Sequence, residues 1–277
     1  MAETQAITSV NNVRVKQVVK LREKARERKR QGLLIAEGRR EVERARAAGL
    51  RPMSWFVSED NPQASALMQG EPTWVSGAVM RKMAYHTKPE GVLAVFEAPR
   101  WSLADLPVNG DGFYLVAVGT EKPGNLGAMV RTAAAAGCDA VLAVAPEVDV
   151  FNPAAIRNST GAVFGLPTVV VEDDAVAIAW LRERGVVAAA ALADGGTDCF
   201  AADWGRGATA VVIGPEHAGL GEAWRTAAGV ALTIPSAGGG GVDSLNASNA
   251  AAVLLFEAVR RRASAGGGGV DSGRQGE

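Results

Sequence analysis

The apolar positions of this chain fall into short runs separated by helical, polar or glycine-rich stretches. Residues 32–36, 53–57 and 94–96 read as strands, and residues 39–48 read as a helix between the first two. Ahead of them Val15, Val18 and Val19 give a narrow apolar face to a helix predicted over 13–30, with Asn11 or Asn12 as its N-cap. Pro99, Pro107, Gly110 and Gly112 break all periodicity and predict a linker at 99–112, between a domain at 1–98 and another at 113–263. In the second domain, strands at 113–119, 140–145, 167–171, 187–192, 209–214 and 231–234 alternate with helices. These helices are expected at 125–137, after Asn152-Pro153, at 175–184 and at 245–262. Such alternation predicts an α/β fold with a parallel sheet covered by helices. Residues 264–277 are glycine-rich and polar and predict a disordered tail. The tail repeats the octapeptide of 237–244 at 265–272, and two copies do not make a structural repeat.

Composition narrows the class. Of 277 residues, 48% are hydrophobic and 21% charged, enough for a sizeable core and too apolar for a disordered chain. Two cysteines, Cys138 and Cys199, cannot make a disulfide framework, which points to a reducing compartment. His86 and His217 are not clustered with other metal ligands, so no metal is expected. The longest apolar run, 186–193, is too short to span a bilayer, and the first ten residues lack a basic region followed by an apolar core. A soluble cytoplasmic protein is expected, with no membrane partner.

Charge is unevenly divided. Residues 1–51 hold 14 Lys and Arg against 6 Glu, within a chain of net charge −1. Between Arg14 and Arg30 nine basic groups face two acidic ones, Glu23 and Glu27. That excess exceeds what a solvated helix face needs and points to a polyanionic partner, RNA or DNA.

Three predicted strand ends carry unusual residues. The first runs from Gly119 through Asn125, suited to a helix N-cap, to Arg131. A dinucleotide fingerprint is absent there, which counts against a nicotinamide-dependent oxidoreductase. The second is Gly214-Pro215-Glu216-His217-Ala218-Gly219, where a buried strand meets a carboxylate; His217 reads as a surface residue. The third is Ile234-Pro235-Ser236, a glycine-rich loop, then Ser244-Leu245-Asn246 and a helix. No P-loop lysine is present, and Asp243 would repel phosphate. Ser248 and Asn249 are poor helix formers and need a partner.

Together these segments resemble the SpoU/TrmH family of RNA ribose 2′-O-methyltransferases, within the SPOUT class. An Asn followed six residues later by an Arg matches Asn125 and Arg131. A strand ending Gly-x-Glu-x-x-Gly matches Gly214, Glu216 and Gly219. Ile-Pro, a glycine-rich loop and Ser-Leu-Asn match Ile234-Pro235 and Ser244-Leu245-Asn246, with Ser236 where the family has Met. The first domain also resembles the family's substrate-binding domain.

The resemblance implies a deep trefoil knot in the C-terminal domain, a homodimer with its active site at the interface, and S-adenosylmethionine as cofactor. By position, Gly214, Ile234, Ser236, Leu245 and Asn246 would hold the cofactor. Arg131 would either take the proton of the ribose 2′-hydroxyl or orient a phosphate and polarise the hydroxyl. Asn125, Glu216, Ser244 and Asn246 would arrange Arg131 and the target nucleotide. The expected substrate is ribosomal RNA; transfer RNA, or non-catalytic RNA binding, are the alternatives. No metal is needed for this chemistry.

Overall fold

The structure is a computed structural model that describes residues 5–67, 70–107, 110–236 and 245–265. The N-terminal part is built on β1 (Leu33–Glu37), β2 (Pro52–Ser58), β3 (Thr73–Val75) and β4 (Val92–Glu97), in the order β1-β4-β2-β3. β4 runs antiparallel to β1 and β2, and β3 pairs parallel to β2. Helices α1 (Val13–Glu23), α2 (Ala25–Gln31), α3 (Arg39–Ala47) and α4 (Gly77–Met83) complete it. Successive side chains of a strand point to opposite faces. Accordingly Leu93 and Val95 of β4 pack with Val15, Val18 and Leu21 of α1 and Met80 of α4. Val92, Ala94 and Phe96 join a second core, which continues into the C-terminal part through Leu115, Leu126 and Phe164.

The C-terminal part is a seven-stranded parallel sheet in the order β7-β6-β5-β10-β8-β11-β9. Its strands are β5 (Phe113–Val118), β6 (Ala140–Val144), β7 (Thr168–Val171), β8 (Val187–Ala191), β9 (Thr197–Asp198), β10 (Thr209–Ile213) and β11 (Val230–Thr233). β5, β6 and β10 are buried at every position, as strands covered on both faces must be. Helices α5 (Pro123–Ala135), α6 (Pro153–Asn158) and α9 (Ala247–Ala265) cover one face. Helices α7 (Asp174–Glu183) and α8 (Glu222–Ala227) cover the other. β5 and β10 are neighbours whose onward connections lead to opposite sides of the sheet. That is a topological switch point, where open α/β sheets bind ligands. Segment 98–107 packs against α7: Trp180 Nε1 donates to Leu103 O at 3.0 Å, and Leu106 is buried.

Several sequence expectations need correction. The single helix over 13–30 is broken at Lys24, whose φ of −116° and ψ of 109° are extended. The cause is Arg28. Its Nη1 donates to Leu21 O (2.6 Å) and Arg22 O (3.0 Å), the carbonyls freed at the end of α1, and its Nε donates to Asp149 Oδ2 (2.5 Å). The two side chains are 3% and 5% exposed. Arg28 therefore belongs to the junction between the two sheets rather than to a solvated basic face. Arg22 is also partly committed, donating through Nη1 to Lys82 O and Ala84 O. Arg44 on α3 makes a second junction contact, from Nη1 to Thr160 O (2.5 Å) and Thr160 Oγ1 (2.6 Å). Thr160 adopts φ +52°, a conformation costly for a β-branched residue. The last helix also reaches two residues into the segment predicted as a tail. α9 runs through Ala265, Ser264 Oγ donates to Arg260 O at 2.9 Å, and residues 266–277 lie outside the described residues. The far end of α9 is clamped by Arg261, which donates to Cys199 O and Phe200 O, and by Arg262, which donates to Gly205 O, Gly207 O and Asp111 O. The short elements β3, α4, α8 and β9 have no counterpart in the sequence reading.

No described helix is long and apolar enough to cross a membrane. Asp149→Ala strands the buried Arg28 guanidinium and should cost about 3–5 kcal/mol of stability. Glu97→Ala, which breaks the exposed pair with Arg51, should cost under about 1 kcal/mol. Chemical denaturation of the two variants side by side checks the contrast.

Candidate active site

The three unusual segments meet at the C-terminal ends of β5, β10 and β11. After β5 the chain turns at Gly119, whose φ of +56° suits glycine, and α5 starts at Pro123. Asn125 is therefore not the N-cap of α5; Lys122 holds that position without a side-chain cap. Standing inside the first turn, Asn125 uses its side chain elsewhere: Nδ2 donates to Glu216 Oε1 at 2.9 Å.

Glu216 is delivered by the turn after β10. A Cβ on Gly214 would lie 2.7 Å from Gly219 C and Leu220 N, so only glycine allows the returning backbone to pass. Gly219, at φ +64°, closes the turn with its N–H donated to Pro215 O at 3.0 Å. Asn246 arrives from the third segment. Its Nδ2 donates to Glu216 Oε1 and, at 3.4 Å, to Asn125 Oδ1. Its Oδ1 accepts from Ser248 N (2.9 Å) and Ser248 Oγ (2.6 Å) at the start of α9. That contact supplies the partner that Ser248 needs within a helix.

A residue that the sequence reading missed completes the cluster. Lys122 Nζ is ion-paired with Glu216 Oε2. Glu216 is 19% exposed, and its carboxyl is held below the usual carboxylate range, first by the Lys122 hydrogen bond and then by Asn125. Lys122 is raised in turn by the same hydrogen bond. Lys122 and Glu216 are 94 residues apart. Sequence offers no signal for such a pair beyond a lysine beside the turn into α5.

Glu216 also forms part of the wall of a cavity of about 490 Å³ at the ends of β8, β10 and β11. Gly214, Ile234, Ser236 and Leu245 line it, with Ala191 and Ala250 among the apolar residues. A narrower crevice on the far side of Glu216, bordered by Thr120, Lys122, Asn125 and Met129, shares Gly214, Pro215 and Glu216 with the cavity. The structure thus brings Asn125, Glu216 and Asn246 together beside four of the five expected cofactor positions; Asn246 sits in the carboxylate cluster. It does not bring Arg131 into the cluster. Arg131 is exposed on α5 and makes no hydrogen bond or ion pair with any described residue. Ser244 and residues 238–243 lie outside the described residues. His217 is exposed. No group of three or more potential metal ligands is found among the described residues.

Comparison with known proteins places this geometry. The SpoU rRNA Methylase family matches residues 112–256, and an MRM3-like substrate binding domain matches residues 12–94. A 23S rRNA (uridine(2479)-2′-O)-methyltransferase of Streptomyces viridochromogenes is 36% identical over 179 residues, covering 63% of this chain and 61% of that protein. A crystal structure of an RNA 2′-O ribose methyltransferase superposes with a TM-score of 0.81 at 38% identity, covering 93% of this chain and 99% of that one. The SpoU methyltransferase AviRb from Streptomyces viridochromogenes, solved with AdoMet, gives a TM-score of 0.82 at 30% identity over 91% of this chain and 100% of its own. With that family's model matching more than half of it, the chain belongs to the SpoU rRNA methylase family.

Proposed function

We propose that this protein methylates ribose 2′-oxygens of ribosomal RNA with S-adenosylmethionine. The observation that carries the reading is the Glu216 cluster. One carboxylate draws Asn125 and Asn246 together beside a largely apolar cavity of cofactor size. The cavity is lined by strand-end backbone and small apolar side chains, which suits an adenosyl group with an attached amino acid. The names of the relatives supply the ribosomal substrate and the 2′-O position.

S-adenosylmethionine supplies an electrophilic methyl group on a sulfonium. The task of the chain is to bring a ribose 2′-oxygen in line with that methyl and let the oxygen lose its proton, and positioning of this kind accounts for much of such rate enhancements. Glu216 accepts from three donors and so fixes where the Asn125 and Asn246 amides point. Arg131 offers a planar fork of donors and no acceptor, which suits a phosphate or the 2′-oxygen better than proton uptake. Because Arg131 points to solvent, the reading includes a homodimer in which each copy presents Arg131 to the other's cluster. It also includes a knotted C-terminal segment, supported by the packing of α9 against α5 and β10, at the centre of the sheet. Cytoplasmic placement fits Cys138 and Cys199, which are buried and unbridged.

Calorimetry should show S-adenosylmethionine binding to the wild type and no binding of NAD. Gly214→Ala should weaken the cofactor at least about tenfold, because overpacking displaces the turn. Absence of heat with the wild type sinks the reading.

Arg131→Ala and Glu216→Ala should each abolish methyl transfer. Mixed and re-annealed, they should recover about a quarter of wild-type activity, since half the dimers then carry one intact site of two. No recovery would place Arg131 with the Glu216 of its own chain.

Lys122→Met removes the hydrogen bond that most lowers the Glu216 carboxyl. A depressed carboxyl keeps its charge as pH falls until its own pKa is reached. The acid limb of activity should therefore move to higher pH in the variant, and an NMR titration of Glu216 should follow it.

A further inference from the structure

The loop between α4 and β4 has no role in the cofactor site, yet it is held with unusual care. The Glu37 carboxylate, at the end of β1, accepts from the backbone N–H groups of both Tyr85 and His86. Arg22 Nη1 donates to Lys82 O (2.9 Å) and Ala84 O (2.7 Å). Asn61 Nδ2 donates to Glu90 O at 2.9 Å, and Glu90 Oε2 accepts from Arg39 N at 2.8 Å. The loop is thus tied at both ends, to α1, β1, α3 and the turn after β2, and its exposure is not the exposure of a slack segment.

What this frame displays is an aromatic ring. Tyr85 is 50% exposed, and its ring makes no aromatic pair among the described residues. Two residues further along the chain, residues 87–91 wall a recess of about 370 Å³ whose other sides are Ser58 at the end of β2, Asp60 and Asn61 after it, and Gly77, Met80 and Arg81 on α4. The recess offers donors and acceptors of both signs. Of the acids at this end, Glu37 and Glu90 accept from backbone N–H groups and Asp60 faces Arg81 at 4.0 Å, while Glu59 is exposed. Four nearby cations have no such partner. Lys82 and Lys88, with Lys24 and Arg26 at the break between α1 and α2, are exposed and make no ion pair with any described residue. The Arg22 contacts to Lys82 O and Ala84 O bring that break to the same end of the domain.

An exposed aromatic ring on a tethered backbone, near cations that make no ion pair among the described residues and next along the chain to a polar recess, has the chemistry to hold an unpaired nucleotide. The ring stacks the base, the recess meets polar groups of the nucleotide, and the lysines meet flanking phosphates. We propose that Tyr85 is a stacking platform for an unpaired base of the RNA substrate, with Lys82 and Lys88 gripping the adjacent backbone. This deepens the RNA-substrate reading and rests on it. It also relocates the binding face: the exposed basic residues near Tyr85 carry it, and the buried Arg28 does not.

The test measures binding of the full-length protein to a short single-stranded oligo(A) and to the same strand in duplex with oligo(U), across a salt series. Tyr85→Ala should weaken single-strand binding about tenfold or more, within the range for losing one base–aromatic stack. Tyr85→Phe should bind as the wild type does, because the ring and not the hydroxyl acts. Duplex binding should be insensitive to either change. Lys82→Ala with Lys88→Ala should lower the salt slope by about 1.4, the single-strand value for two phosphate contacts. S-adenosylmethionine affinity, unchanged in all variants, certifies that the fold is intact. Wild-type single-strand affinity in Tyr85→Ala, or equal losses in Tyr85→Phe and Tyr85→Ala, overturns the platform. Methyl transfer to ribosomal RNA is assayed separately on the wild type. Its absence together with Tyr85-dependent binding would count against the methyltransferase reading and for the platform.

Discussion

One half-buried carboxylate organises the candidate site. Glu216 is partly buried at the strand ends, and the fold meets its charge with three donors from two turns. Lys122 and Asn125 come from the turn into α5, and Asn246 comes from the turn into α9. Each would be an ordinary polar surface residue without it. The parallel sheet brings these turns to the same edge, and the glycines at 214 and 219 let the β10 turn fold tightly enough to present the acid. The cavity is bounded by the same strand ends, so its shape and the ordering of the cluster depend on one another.

The basic character of the first fifty residues divides into two functions once burial is known. Arg28 and Arg44 are turned inward, where they satisfy carbonyls and an aspartate at the seam between the sheets. Lys24 and Arg26 face outward. A count of charges along the chain treats all of them alike. Seam and surface are distinguished only by what lies across from each guanidinium, and for Arg28 that is a residue 121 positions away.

The same limit explains which features were legible in the sequence. The strands of the parallel sheet are uninterrupted apolar runs, and β5, β6 and β10 were readable because burial on both faces leaves no other pattern. The glycine at 214 and the acid at 216 were readable because their spacing is local. Short elements were not: β3 has three residues and β9 two, too few to establish a period. The break at Lys24 was hidden because nothing near it in sequence stops a helix; the stop is made by a side chain folding back from the next turn. Asn125 was misread as a cap because a capping asparagine and a reaching one look identical until the start of α5 is placed at Pro123.

Asn246 has a consequence of a mechanical kind. Its amide is used at both ends: the nitrogen side joins the Glu216 cluster and the oxygen side receives the first turn of α9. At the opposite end Arg261 and Arg262 bolt the helix to the loops around Cys199, Gly205 and Asp111. A helix of 19 residues fixed at both ends is a strut about 28 Å long. Sliding or rolling it would turn the asparagine and disturb the carboxylate's donors. The geometry of the Glu216 cluster therefore depends on anchorage at the far end of α9.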